Sequence, residues 1–292
     1  MIIVKLIGGL GNQLFQYALG RNLALMNNTE LKLDISGFKT YKLHKYGLHH
    51  FKIIEKFATR EDLHCIKMPS SRLRNFFIDI NCSITGNKQI FYKKEPRDYI
   101  FDLNFFKYPN DLYLEGYWQS EKYFKNVEDI IRQEFSLKKE PDAPNALMAE
   151  NILESDAISV HVRRGDYVAN PLTYNHHGVC SLEYYHKAID CMVKKISDPH
   201  FYFFSDDPAW VKKNLVVDYP HTYVTHNQTI KNYSDLWLMS LCKYHIIANS
   251  SFSWWGAWLS TNPEKMVIAP KKWVNNPNME TRDLIPESWH MI

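Results

Sequence analysis

Between residues 158 and 269 the chain alternates short apolar runs with helix-length amphipathic stretches, and this rhythm restricts the fold more than any other feature. Runs at 158–162, 201–204, 222–225, 246–248 and 266–269 read as buried strands. Between them come a helix from Ser181, its N-cap, to about Ile196, and a short helix after Pro208. A third helix, at 235–244, is capped by Ser234, and a fourth opens at Asn249-Ser250-Ser251-Phe252 and runs through Trp258. Residues 170–178 read as a polar loop, and 266–269 as the final strand. Neighbouring parallel strands need long crossovers, so such alternation implies a parallel sheet with helices on both faces.

The N-terminal half opens the same way. Residues 2–7 form an apolar run broken only by Lys5, followed by Gly8-Gly9-Leu10-Gly11-Asn12-Gln13. A helical pattern through Phe15, Leu19, Leu23 and Met26 comes next, then a second strand at 31–35. The glycine turn allows close backbone approach, and a helix N-terminus offers N–H groups to an anion. It is neither GxGxxG nor a Walker loop, and no suitably spaced ribose-binding acid follows, which disfavours a dehydrogenase. From about 40 to 113 the pattern is irregular, with basic side chains (Lys42, His44, Lys45, His49, His50) ahead of Phe51. This stretch reads as an insertion of short helices and strands, either shaping an acceptor cleft or capping the domain. Residues 112–119 alternate like a strand entering a turn, and Phe124, Val127, Ile131 and Phe135 mark one helix face. With Pro141 and Pro144, residues 138–145 read as a linker. The expectation is an α/β chain of two Rossmann-like domains with parallel sheets, 1–140 and 141–292.

Composition narrows the partners. A net charge of +3 is too mild to argue for nucleic acid. The five cysteines are scattered without CxxC spacing, as expected of reduced thiols in a cytoplasmic protein, and no zinc pattern appears. No run of roughly eighteen apolar residues marks a membrane-spanning helix. Eight Trp and eighteen Tyr suit sugar sites as well as ordinary cores.

Three strand ends in the C-terminal half carry polar clusters: His161/Arg163/Arg164/Asp166, Ser205/Asp206/Asp207 and Asn249/Ser250/Ser251. Parallel strands bring their carboxyl ends to one side, where open α/β sheets bind ligands. The arginine fork suits phosphate, and a helix starting at Ser250-Ser251 supplies further donors. A carboxylate can accept two N–H bonds from guanine. Together these point to a guanine nucleoside diphosphate. Each cluster also has a structural explanation: arginines paired with surface carboxylates, Asp206 or Asp207 capping the helix at Pro208, and Ser250 as an N-cap.

GGLGNQLFQYALGRNLA near the N-terminus, SVHVRRGDYV in the middle and ANSSFSWWGAWLS near the end resemble the bacterial α1,2-fucosyltransferases of glycosyltransferase family 11. GYWQSEKYF and FFSDDP fit the same family, so the matches run from Gly8 to Leu259, with no motif across 40–112. The resemblance implies a GT-B architecture, GDP-β-L-fucose as co-substrate, and inverting transfer to O2 of a terminal galactose on an oligosaccharide or glycolipid. It implies no cofactor and no metal. It also implies surface-polysaccharide (O-antigen) assembly as the setting, at the inner membrane face with peripheral contact. By motif, Arg163 would grip the β-phosphate, and His161 and Asp207 would address guanine. Ser250, Ser251 and Phe252 would hold the diphosphate. Asn12, with the backbone of Gly9, Leu10 and Gly11, would face the fucose and β-phosphate, making Arg163 and Asn12 the catalytic pair. Arg164 and Asp166 would support the loop, and Glu115, Tyr117 and Gln119 would meet the acceptor. Glu115, Asp34 and Asp166 are the candidate bases by type, with none singled out. The rivals are a fucosyltransferase of another linkage or with a protein acceptor, and a guanine-nucleotide or sugar-binding protein without turnover. Sequence alone leaves the oligomeric state open.

Overall fold

The computed structural model describes every residue except Lys42, Ser70, Asn87 and 228–230, and the side chain of Ser83. The expectation for Lys42 therefore lies outside the described residues. The chain divides into two compact units: Met1–Lys138 with Thr281–Leu284, and Lys139–Glu280 with Ile285–Ile292. The returning segment is held in the first unit by Asp283, which accepts from Phe101 N at 2.9 Å and pairs with Lys122 at 2.6 Å.

In the first unit, β1 (Ile2–Lys5) leads through α1 (Leu10–Met26) to β2 (Leu31–Asp34). There follow α2 (Arg60–His64), β3 (Ile66–Lys67), α3 (Arg72–Thr85), β4 (Ile90–Lys94), β5 (Leu112–Glu115) and α4 (Glu128–Glu134). The sheet is parallel, in the order β2-β1-β5-β4-β3, and its order reverses between β1 and β5. Buried Leu14, Leu19 and Leu23 face α1 inward. Gly20 lets that helix press onto β1, since a Cβ there would lie 2.3 Å from Val4 Cγ2. The irregular stretch 40–113 is thus not a mere insertion: it supplies β3, β4 and the start of β5. Strand β3 has only two residues, and β4 exposes Phe91, so neither shows an apolar run.

The second unit holds α5 (Ala143–Leu153), β6 (Asp156–Val162), α6 (Gly165–Ala169), α7 (Pro171–His177), α8 (Leu182–Val193), β7 (Pro199–Ser205) and α9 (Pro208–Asn214). It continues with β8 (His221–Val224), α10 (Asn232–Leu241), β9 (Tyr244–Ile246), α11 (Ser251–Leu259), β10 (Met266–Ala269) and β11 (His290–Met291). The sheet order is β11-β10-β9-β6-β7-β8, and every pairing is parallel. This is the doubly wound order, with its switch point between β6 and β9.

Four expectations need correction here. The linker is shorter than 138–145: Asp142 caps α5 through Asn145 N, and Pro144 sits in the first turn, where its missing N–H costs nothing. Residues 170–178 are helical rather than looped, with Asn170 capping α7 and Pro171 opening it. Helix α10 starts at Asn232, so Ser234 lies inside its first turn instead of capping it. The strand at 266–269 is not the last, because β11 adds to it.

Candidate active site

Strand β6 ends at the switch point and delivers three successive polar groups. His161 is buried, and its ring lies 5.5 Å from that of Phe252 at the start of α11. That contact brings the carboxyl end of β6 against the N-terminus of α11. Burial drives the His161 pKa down to about 4, with Asp206 opposing and Arg163 reinforcing, so the imidazole is neutral near pH 7. Its Nδ1 is buried and has no hydrogen-bond partner among the described residues.

Arg163 is held from two sides. Its Nη2 donates to Asp166 Oδ1 at 2.6 Å, and its Nη1 lies 2.9 Å from Asp206 Oδ2. Burial works against the charge, but Asp206 and then Asp166 outweigh it and push the guanidinium above its already high ordinary pKa. Asp206 also accepts Arg164 N at 2.8 Å, so one carboxylate at the end of β7 fixes both backbone and guanidinium at the end of β6. Gly165 makes this possible, because a Cβ there would stand 2.6 Å from Asp206 Oδ2. On the other side, the Arg163 guanidinium lies 5.4 Å from the Tyr167 ring, which stacks on His177 at 4.8 Å. His177 Nδ1 is likewise buried without a partner among the described residues.

Arg164 takes a different course: it lies 3.7 Å from the centre of the Trp210 ring and bonds Asp207 Oδ2 at 3.3 Å. Asp207 Oδ1 caps α9 through Trp210 N. Asp207 is therefore engaged in capping and in holding Arg164, the structural explanation weighed above. Ser250 Oγ caps α11 through Phe252 N at 3.3 Å. Asn249 has no such position at the site; its Nδ2 ties down the carbonyls of His177 and Trp273. Behind the cap, Trp254, Trp255 and Trp258 are buried. These buried rings anchor α11 in the core rather than lining a sugar site.

The first unit's polar residues gather where its strand order reverses. Gly8 has φ +77°, and a Cβ on it would come within 2.6 Å of Asn12 Nδ2. Gly9 is the N-cap position of α1, followed by Leu10 and Gly11 in its first turn. Asn12 Oδ1 accepts from Gln119 Nε2 at 2.8 Å, joining two of the expected site residues. Two glutamines build the frame. Gln13 links Gly8 O and Lys45 O through Nε2 and Gly47 N through Oε1, while Gln16 links Ile7 N to Gly116 O. Both are fully buried.

Tyr117 and Trp118 donate their backbone N–H groups to Glu95 at 2.6 and 2.9 Å. Burial raises the Glu95 pKa to about 7 against these two bonds, and Asp98 adds to the rise. Glu115 lies 3.2 Å from Lys5, across the β1–β5 pair. Asp34 is buried, accepting from Tyr113 OH at 2.7 Å and from Ser36 N at 2.9 Å. Of the three carboxylates considered as bases, Asp34 and Asp166 thus hold local structure, and Glu115 is ion-paired.

Gln13, Gln16, Glu95 and the part played by Asp206 did not emerge from sequence reasoning. The glutamines had a readable signal: two amides three residues apart on a helix otherwise apolar on that side. Glu95 had none, since its partners are backbone groups more than twenty residues away.

Two Rossmann-like units, each built on a parallel sheet with polar groups at its strand-order reversal, are the architecture of the GT-B class. The solved structure of POFUT1 in complex with GDP-fucose superposes with a TM-score of 0.52 over 92% of this chain and 97% of that one, at 13% identity. The model of glycosyl transferase family 11 matches residues 1–292, and the chain belongs to that family. It is 34% identical to an α-1,2-colitosyltransferase of Escherichia coli, covering 100% of this chain and 99% of the relative. It is 31% identical to the O-antigen biosynthesis glycosyltransferase WbnK of the same organism, over 95% and 97% of the two chains.

Proposed function

We propose that the chain transfers L-fucose, with inversion, from GDP-β-L-fucose to O2 of a terminal galactose, on an oligosaccharide or glycolipid of surface-polysaccharide assembly. The observation that carries this reading is the Arg163 guanidinium, gripped by Asp166 and Asp206 beside buried His161 and the start of α11. As the C1–O bond of a sugar nucleotide stretches, negative charge builds on the β-phosphate. A guanidinium already oriented by two carboxylates, and the N–H groups of a helix N-terminus, stabilise that charge most at the transition state. The two carboxylates preorganise the arginine, while their own negative charge offsets part of the positive charge it presents to a phosphate.

In this reading Ser250, Ser251 and Phe252 hold the diphosphate, and His161 addresses guanine. Asp207 remains the proposed guanine acceptor through whatever capacity its cap and Arg164 leave. Asn12, with Gly9, Leu10 and Gly11, serves the sugar and β-phosphate. Glu115, Tyr117 and Gln119 serve the acceptor. No strong base is required, because in an oxocarbenium-like transition state the acceptor hydroxyl can lose its proton late.

A second reading is favoured by the full-length similarity to the colitosyltransferase. Colitose is fucose without its 3-hydroxyl, so the two sugars differ by one hydroxyl. Steady-state assays with GDP-fucose and GDP-colitose, on lactose and on type 1 and type 2 disaccharides with product linkage determined, separate the readings. Fucose transfer to O2 of galactose is the expected result. Turnover of GDP-colitose alone would replace the donor, and release of GDP from neither would refute the transferase reading.

A further inference from the structure

Helix α3 is amphipathic in an unusual sense: it has two apolar faces. One, with Ile78 and Cys82, packs inward with Cys65, Ile66 and Ile90. The other carries Leu73, Phe76, Phe77, Ile80 and Ile84 at helical spacing and points to solvent, with Leu73 71% and Ile84 79% exposed. Lone exposed apolar residues are ordinary, but five on one stripe of one helix are not.

Charge decides what the stripe fits. At 100° per residue, Arg72 and Arg74 fall on opposite flanks of the stripe, at its N-terminal end. Both are exposed. The one acid on the helix, Asp79, is already taken up by Lys67 at 2.5 Å and Gln89 at 2.7 Å. An exposed apolar stripe flanked by arginines, with no uncommitted acid on the helix, matches the interfacial pattern of a helix lying flat on anionic lipid. A second copy of the same stripe would offer the arginines no uncommitted acid of α3. No helix among the described residues is long and apolar enough to cross a membrane, so the contact would be peripheral.

We infer that the outward face of α3 docks the protein on an anionic lipid surface, with Leu73, Phe76, Phe77, Ile80 and Ile84 entering the headgroup boundary and Arg72 and Arg74 meeting lipid phosphates. This inference is independent of the donor and acceptor assignments. It is tested by flotation of the full chain with phosphatidylglycerol-containing vesicles and with pure phosphatidylcholine vesicles. The wild type floats with the former, more weakly as salt rises. Phe76→Ser/Phe77→Ser loses flotation, and Arg72→Gln/Arg74→Gln loses the preference for anionic lipid, while both double variants melt at the wild-type temperature. Failure of the wild type to float with phosphatidylglycerol vesicles overturns the inference. So does equal binding to both vesicles that ignores the arginine substitutions. A dimer in sedimentation velocity that Phe76→Ser/Phe77→Ser dissociates, without vesicle binding, would instead make this face an interface between copies.

Discussion

At the residue scale, the site depends on how closely one carboxylate can approach. Asp206 reaches both Arg163 and Arg164 N only because position 165 lacks a Cβ. Gly165→Ala should therefore move Asp206 and slacken Arg163, lowering kcat roughly ten- to a hundred-fold. Stability should fall by about 1–3 kcal/mol, since Arg164 N loses its partner, partly offset by the better helix propensity of Ala in α6. Unchanged kcat in steady-state assays would show that Asp206 does not orient the arginine. Glu95 offers a test by pH. Its folded pKa of about 7 lies above the ordinary 4.5, so the folded state holds the proton more tightly than the unfolded one. The resulting stability is full below 4.5 and is lost as pH rises through 7. Glu95→Gln has no such proton. Urea titrations should show the variant gaining on wild type between pH 4.5 and 7, by at most about 1.4 kcal/mol per pH unit. A constant difference across that window would contradict the raised pKa.

At the element scale, the glycine loop after β1 is fastened by helix amides rather than by its own turn. Gln16 joins Ile7 N to Gly116 O, tying the ends of β1 and β5 together where the strand order reverses. Gln16→Ala would leave both part-buried backbone groups without this partner, costing about 2–6 kcal/mol of unfolding free energy at roughly 1–3 per group. A fall in the urea midpoint checks this, and an unchanged midpoint would count against it.

Element-scale legibility followed local pattern. The strands β1, β6, β7 and β10 were readable because each is a continuous buried run. Helices α8 and α11 were readable through Ser181 and Ser250, both of which do cap. What failed was what lacked a local signal. Strand β3 has two residues, β11 is an exposed two-residue edge, and α3 turns apolar residues outward. Pro144 reads as part of a linker and 170–178 as a loop, yet a proline in the first turn starts a helix, as Pro144 and Pro171 do.

At the scale of the whole molecule, two parallel sheets place two groups of polar residues at their own strand-order reversals, and both groups were largely readable from the motifs. The partners that hold them were not. Asp206 on Arg163, Gln119 on Asn12 and Glu95 on the Tyr117–Trp118 backbone are pairings across strands, which no spacing along the chain reveals. Sequence could name the guanidinium, but its orientation by two carboxylates belongs to the fold. The central claim is that this oriented charge neutralises the departing diphosphate. Turnover of Arg163→Ala with GDP-fucose and lactose, followed as GDP release on protein shown by circular dichroism to be folded, tests it most directly. Loss of one such donor costs about 3–4 kcal/mol of barrier, so the rate should fall at least hundreds-fold. A folded variant keeping more than about a tenth of wild-type turnover, less than 1.4 kcal/mol of effect, would contradict the account.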